Sequence, residues 1–407
     1  MILNAVIEVI GRFFILYLAG SLLMLPFPSA APREKTVYVF GKLALGAAGL
    51  AVGYAFFFTG VKTILSGPLL LYLSGILYWQ LRIKKGLDRP SLEWKTLLVH
   101  FIALLLILFA QLYRNGAFQA DPVSLADIDY GIYVAVSEYL MQTGVESPSP
   151  WYELTEVAAT GRPTPYHYGD LWLGAFCLSG PGSLPPLYSY AYVFTALLGV
   201  LSFSGILALF RVILGNKQKI YILILAFLLV FYGIYIPGHL ELAIGLYRNS
   251  LLAPKTVGFQ IGLLGFFLAF LQKRPGPAWL ILFSVPFWNI LFAPAIFGSS
   301  FLFLGWWAWK KKSILPGLAA VTLAALLFIA GFYYWVGAPW VGVGSVEFST
   351  GAYLYRTVRG FASGLSRFLL FEIVVVLLVG AMVYRWRRLS PEAKDIFRWS
   401  AFCFFSA

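Results

Sequence analysis

The chain has 407 residues, of which 60% are hydrophobic and 12% are charged, about half the charged fraction of an average soluble domain. Its formal charge of +13 does not indicate nucleic-acid binding, because the basic residues form small clusters between long apolar runs. The two cysteines, Cys177 and Cys403, lie far apart in apolar sequence, which argues against a disulfide framework or a thiolate metal site.

Apolar runs of about 18 residues or more recur along the chain and predict an all-α polytopic membrane protein with about twelve transmembrane helices. Each run is expected to be helical, because backbone polar groups in lipid need partners within their own segment. The eighth and ninth spans are short, and we expect them to form a helical hairpin that does not fully cross. The predicted spans fall near 2–27, 37–59, 64–81, 95–112, 187–211, 219–236, 257–272, 278–290, 293–309, 314–336, 368–384 and 396–407.

The spans divide the chain into an N-terminal four-helix segment (1–112), an acidic loop (113–186) and a C-terminal helical segment (187–407) that a longer protein could continue. The first run has no basic flank before it and predicts a retained helix instead of a signal peptide. Clusters of Lys and Arg follow every odd-numbered span, and such clusters stay on the cytoplasmic side. We therefore expect a multi-pass cell-membrane protein whose N-terminus and acidic loop are extracytoplasmic.

The acidic loop holds eight of the 17 acidic residues of the chain, and two of them form its first motif. Asp127 and Asp129 precede a helical pattern that Gly144 is expected to stop. One face of this pattern carries Ile132, Val136, Tyr139 and Leu140. One interpretation is that they cap this helix, since short acidic side chains bind free backbone N–H groups there. The other is functional: together they hold a divalent cation, Mg²⁺ or Mn²⁺, or one of them acts as a general base toward a hydroxyl group.

A second motif in the loop is Tyr166-His167-Tyr168, held extended by the prolines before it. His167 is one of three histidines and is a candidate catalytic residue, while Tyr166 and Tyr168 are candidates for substrate binding. The alternative for the tyrosines is an aromatic belt at the level of the lipid headgroups. The apolar piece that follows, 171–178, is too short to span and predicts an interfacial or re-entrant helix.

Basic residues in the other two outward loops form a third signal, because outward surfaces usually carry few of them. Arg248, Arg356 and Arg359 are the candidates, and Arg356 and Arg359 share one face if their segment is helical. The planar guanidinium group suits phosphate oxygens, which predicts a lipid-linked phosphate as ligand. Ordinary pairing with headgroups or with loop carboxylates is the alternative.

An outward loop with an acidic pair, a helix and a Pro-Tyr-His-Tyr-Gly segment resembles the first large extracytoplasmic loop of GT-C-type membrane glycosyltransferases. The short spans around Pro286 and Pro294 are also similar to the core of that superfamily. The resemblance implies transfer of a sugar from a polyprenyl-phosphate carrier to an acceptor at the outer face. It assigns the acidic catalytic role to Asp127 or Asp129 and carrier-phosphate binding to Arg356 or Arg359.

The leading functional prediction is therefore a membrane glycosyltransferase whose partners are a lipid-linked sugar donor and the membrane lipids. No pattern in the sequence calls for nucleic acid or for an obligate protein partner. A transporter or flippase of a lipid-linked or amphipathic substrate is the main alternative, although we find no internal repeat between the two halves. A non-catalytic membrane scaffold is the third interpretation, and it predicts loop carboxylates that do not converge.

Overall fold

The structure is a computed structural model, and it contains helices but no strand over the residues that it describes, which confirms an all-α fold class. The described residues are 1–26, 35–60, 63–82, 94–114, 117–118, 129–146, 168–179, 184–214, 220–224, 226, 257–288, 293–310, 315–336, 390–395 and 398. The helices of the first half are α1 (Ile2–Met24), α2 (Lys35–Thr59), α3 (Ser66–Arg82), α4 (Trp94–Arg114), α5 (Asp129–Thr143), α6 (Tyr168–Leu178) and α7 (Pro186–Leu214). Those of the second half are α8 (Val257–Leu271), α9 (Pro275–Trp288), α10 (Ala293–Trp309) and α11 (Leu315–Val336).

Four of these helices, α1, α2, α4 and α7, are long and apolar enough to cross a membrane. Helix α4 shows how they meet their surroundings, because Leu98, Ile102, Leu106 and Phe109 lie along one face and are 46% to 57% exposed. A helix in water would turn polar side chains outward at these positions, whereas lipid favours apolar ones. The chain is a multi-pass helical membrane protein.

Helices α1 and α2 form a closely packed antiparallel pair. A Cβ atom on Gly20 would collide with the carbonyl group of Lys42, and one on Gly46 would lie 2.7 Å from the carbonyl carbon of Leu16. The two backbones therefore touch directly, as small residues allow between membrane helices. The contact is possible because both positions lack a side chain.

The acidic loop contributes two helices that are built into the bundle. Every residue of α6 from Tyr168 to Cys177 is buried, and α6 packs against α2, α5 and α7. The Ser137 hydroxyl in the middle of α5 donates to the Leu171 carbonyl, while the residues just after α5 contact the first turn of α6. Helices α5 and α6 are therefore antiparallel, and the predicted short apolar helix lies in the interior of the protein.

The predicted end of α5 is confirmed, and its buried face differs from the pattern expected. Gly144 has φ +66°, a conformation that favours glycine, and its N–H donates to the Leu140 carbonyl at 2.9 Å. Ile132, expected on the apolar face with Val136 and Leu140, is 57% exposed. The buried face passes through Tyr133 instead, because aromatic side chains fill the space beside α7.

The second half of the chain packs through large aromatic side chains. Helices α8 and α9 form a hairpin, and Trp279 of α9 contacts Phe266 and Phe303 with ring centroids 5.4 and 6.2 Å apart. The indole N–H of Trp279 donates to the hydroxyl of Thr322 in α11 at 3.0 Å. A buried hydrogen bond thus joins α9 and α11, which also meet through the rings of Phe287 and Phe332.

Several predicted spans coincide with these helices, but the count of twelve stays a prediction. The spans expected near 64–81, 257–272, 278–290, 293–309 and 314–336 are all helical, with shorter apolar stretches than the four long helices. Most of 219–236, and the spans expected near 368–384 and 396–407, lie outside the described residues.

Candidate functional site

The first predicted motif lies at the start of α5. Asp129 is the first residue of this helix, and its side chain, on which the choice between capping and a functional role depends, lies outside the described part of the structure. Asp127 also lies outside the described residues. Asp129 is about 20 Å from the other end of α5, which is the end next to the first turn of α6.

The second motif leads into α6, where Tyr168 is the first helical residue. The Tyr168 side chain is fully buried and its hydroxyl donates to the backbone carbonyl of Glu146 at 2.5 Å. This phenol group therefore helps to hold the loop together. The remaining predicted site residues lie outside the described residues: Tyr166, His167, Arg248, Arg356 and Arg359.

Glu146, two residues after the glycine that ends α5, is a functional candidate that the sequence did not single out. It is 1% exposed, and its carboxylate accepts hydrogen bonds from the Thr63 hydroxyl at 2.5 Å, the Ile64 N–H at 2.7 Å and the Trp172 indole at 2.8 Å. Burial raises the pKa of this carboxyl group to about 7, and the three hydrogen bonds oppose that rise. The sequence signal for it was an acidic residue two positions after the predicted helix stop.

A second buried carboxylate, Asp170, lies in the first turn of α6 and is 2% exposed. It is within electrostatic reach of Tyr190 in α7. The Tyr190 ring also packs against Tyr130 and Tyr133 of α5, with centroids 6.0 and 6.3 Å away. The acidic loop thus meets the membrane bundle at a cluster of tyrosines with one carboxylate.

The intramembrane residues Glu8 and Arg12 of α1 bind different neighbours. Their spacing of four residues on a helix would allow them to neutralise each other. Instead, the guanidinium of Arg12 donates to the Cys177 carbonyl at 3.3 Å and lies over the Phe176 ring at 4.5 Å. The Glu8 carboxylate accepts from the hydroxyl of Ser189 at 3.2 Å. Arg12 is drawn to α6 because the C-terminal carbonyls of a helix attract positive charge.

Ser189 lies at the start of the π-helical segment of α7, Ser189–Phe194, and its hydroxyl is also within 3.1 Å of the Cys177 carbonyl. π-helical turns leave backbone groups free to bind elsewhere and occur often at functional sites. The end of α6, the polar face of α1 and this irregular turn therefore meet at one place in the bundle.

Two further polar residues lie inside the bundle. Long polar side chains in membrane helices can extend toward the membrane surface, but Lys42 and His100 are buried, at 3% and 0% exposure. The Lys42 ammonium donates to the Tyr17 hydroxyl at 3.0 Å and lies over the rings of Tyr17 and Tyr38. His100 contacts the Thr96 carbonyl through Nδ1 at 2.7 Å. Cation–π contacts and hydrogen bonds inside the bundle take the place of water for these groups.

Among the described residues, no three His, Cys, Asp or Glu side chains come together as a metal site would require. Comparison with protein-family models, with curated proteins and with solved structures finds no match to this chain. Fold and site together define a multi-pass helical membrane protein with buried carboxylates in its large acidic loop.

Proposed function

We propose that the chain is a membrane glycosyltransferase that moves a sugar from a polyprenyl-phosphate carrier to an acceptor at the outer face. The observation that carries the proposal is the burial of α6, which brings Asp170 and Glu146 of the acidic loop against the membrane bundle. A loop that only linked two spans would not place buried carboxylates and tyrosines against the bundle. A lipid-linked substrate needs chemistry of this kind at the membrane, because its reactive group cannot travel far into water.

In the proposed reaction, Asp127 or Asp129 takes a proton from the acceptor hydroxyl group. The acceptor oxygen then forms the new bond to the anomeric carbon of the sugar, and the bond from that carbon to the carrier phosphate breaks. Arg248, Arg356 and Arg359 balance the negative charge that remains on the departing carrier phosphate. A divalent cation, Mg²⁺ or Mn²⁺, held by Asp127 and Asp129 would polarise the phosphate, and no step here depends on it.

The test is transfer activity of the purified full chain with a panel of polyprenyl-phosphate sugars and labelled acceptors. Whichever of the two residues is the base, its replacement by Asp127→Asn or Asp129→Asn is expected to lower turnover at least 100-fold, the usual range for loss of a general base. Glu138→Gln, on the same helix as Asp129, is the matched control and should retain activity. Full turnover in both asparagine variants would remove these residues from the mechanism.

The orientation of the loop is part of the same proposal. Its support is the run of basic clusters after the odd-numbered spans. A membrane-impermeant thiol reagent should label a cysteine introduced at Pro148 in intact cells, and should fail to label one introduced at Lys311. The reverse pattern would place the acidic loop inside and would contradict chemistry on an outer lipid-linked donor.

A transporter of a lipid-linked or amphipathic substrate is the second candidate, and one observation favours it. Glu8, Arg12 and the π-helical turn meet at the last turn of α6, and intramembrane charges beside irregular helical segments are common in transporters. Substrate flux into proteoliposomes with no chemical change in the substrate would support this class. Release of free carrier phosphate would support the transferase instead.

A further inference from the structure

Glu146 connects three parts of the chain that are distant in sequence. One carboxylate oxygen accepts from Thr63 and Trp172 and the other accepts from Ile64. Thr63 and Ile64 lie between α2 and α3, Trp172 is on α6, and Glu146 itself follows α5. Four helices are therefore held together by a single side chain.

The backbone at Glu146 strengthens this connection. The Tyr168 hydroxyl donates to the main-chain carbonyl of Glu146, while Trp172 donates to its carboxylate. Helix α6 is therefore bound to both the main chain and the side chain of Glu146. A Cβ on Gly144 would collide with the Phe58 carbonyl, which means that the turn before Glu146 lies directly on the end of α2. Phe58 also stacks on Trp172, with centroids 6.0 Å apart.

The groups around this carboxylate are neutral among the described residues. The described parts of the elements packed against it present Thr63, Ile64 and Trp172 to the carboxylate, and the phenol of Tyr168 contacts the main-chain carbonyl of Glu146. Lys62, which precedes Thr63, and His167, which precedes Tyr168, lie outside the described residues. A negative charge at Glu146 is thus stabilised by hydrogen bonds and opposed by burial.

We propose that Glu146 is a proton-sensitive latch that holds α6 against the bundle and loosens as the pH rises. When α6 separates from the bundle, Glu146 meets water and regains the ordinary acidity of a carboxylic acid. The docked state therefore binds the proton more tightly than the open state, and linkage makes docking strongest at low pH. Because one proton is involved, the open fraction changes by at most about tenfold per pH unit.

The pH window follows from the two states. A glutamate in water has an ordinary pKa of 4.5, and in the docked state the pKa of Glu146 is about 7. Below the lower value both states hold the proton, and docking is at full strength. Between the two values the open fraction rises with pH, and above about 7 it stays constant.

The experiment measures how fast a cysteine in α6 reacts with a thiol reagent. Leu171→Cys places the reporter at a position that is fully buried when α6 is docked. The background is full-length protein with Cys177→Ser and Cys403→Ser, which removes both native thiols. Labelling is followed from about pH 4.5 to 8.5 in the protein that retains Glu146 and in the Glu146→Gln variant. The first rate divided by the second gives a ratio from which the titration of the thiol itself cancels.

The expected ratio rises by up to about tenfold per pH unit from about 5 to 7 and then levels off. Glu138→Gln should leave this profile unchanged, since that residue lies on α5 away from the latch. His167→Gln and Lys62→Met should also retain the rise, and its loss in either variant would assign the titration to that neighbour. A flat ratio, or one that falls with pH, would overturn the proposal.

A second variant tests the latch if Glu146→Gln fails to fold. Trp172→Phe removes one donor to the carboxylate and keeps an aromatic ring at that place. With fewer hydrogen bonds to stabilise its charge, Glu146 should release its proton at higher pH, and the upper limit of the window should move up. If the pH range over which labelling rises is unchanged in this variant, a group other than Glu146 titrates, and the proposal is overturned.

Discussion

Gly46 lies where the backbones of α1 and α2 touch, and its replacement gives a sharp test of the fold. A Cβ atom there would lie 2.7 Å from the Leu16 carbonyl carbon, 3.1 Å from the Gly20 nitrogen and nearer still to the Leu16 oxygen. These are backbone atoms, so no side-chain rotation relieves the overlap. The two helices must separate if Gly46→Ala is to be accommodated.

We expect Gly46→Ala to lower the free energy of unfolding by about 1–3 kcal/mol, the usual cost of overpacking. Gly53→Ala is the matched control, because it lies on the same helix and a Cβ there meets no atom within 4 Å. Alanine favours helix more than glycine does, so the control should be neutral or more stable by up to about 1 kcal/mol.

The assay is unfolding of the full chain in mixed micelles by increasing SDS, followed by helical circular dichroism. Gly20→Ala should reproduce the effect of Gly46→Ala from the other helix, since its Cβ would collide with the Lys42 carbonyl group. Wild-type stability in Gly46→Ala would refute the direct contact between the two backbones. Equal destabilisation by Gly53→Ala and Gly46→Ala would refute it as well.

Three further predictions concern buried polar contacts. Arg12→Met removes a charge-assisted bond to the Cys177 carbonyl, and it should cost about 1.5–3 kcal/mol in the same SDS assay, with partial recovery in Arg12→Lys. Thr322→Val leaves the buried Trp279 indole N–H without its acceptor and should cost about 1–3 kcal/mol, while Thr322→Ser should be close to wild type. The raised pKa of Glu146 predicts stability that is complete below about pH 4.5 and is lost as pH rises through about 7, a loss of up to about 3 kcal/mol that should be missing in Glu146→Gln.

The sequence predicted the helical class and the positions of most described helices, because the apolar runs of a membrane protein are long and unambiguous. The end of α5 was predicted for a similar reason, since Gly144 provides the left-handed conformation that ends a helix. The buried face of α5 was predicted incorrectly at one position, because Ile132 is apolar but exposed, whereas Tyr133 is buried. Which apolar face meets protein depends on the neighbouring helices, and that information is not local.

The polar contacts were harder to predict than the helices. The spacing of Glu8 and Arg12 is compatible with an ion pair, but it cannot show that the carbonyl end of α6 lies beside Arg12. Glu146 resembled the other loop carboxylates in sequence, and its importance comes from Thr63 and Trp172, which are distant along the chain. Long-range partners of this kind are fixed by packing and leave no periodic signal.

The π-helical turn in α7 has a consequence for how the chain can change. Such a turn holds one residue more than a regular helix needs, and each residue of an α-helix advances about 100° around the axis. Deleting one residue within Ser189–Phe194 would therefore restore a regular helix and swing the preceding segment by about 100°. The acidic loop would then meet the bundle at a different angle while the rest of α7 kept its place. Insertion or deletion of this one residue can therefore change the orientation of the acidic loop without changing the packing of the rest of α7.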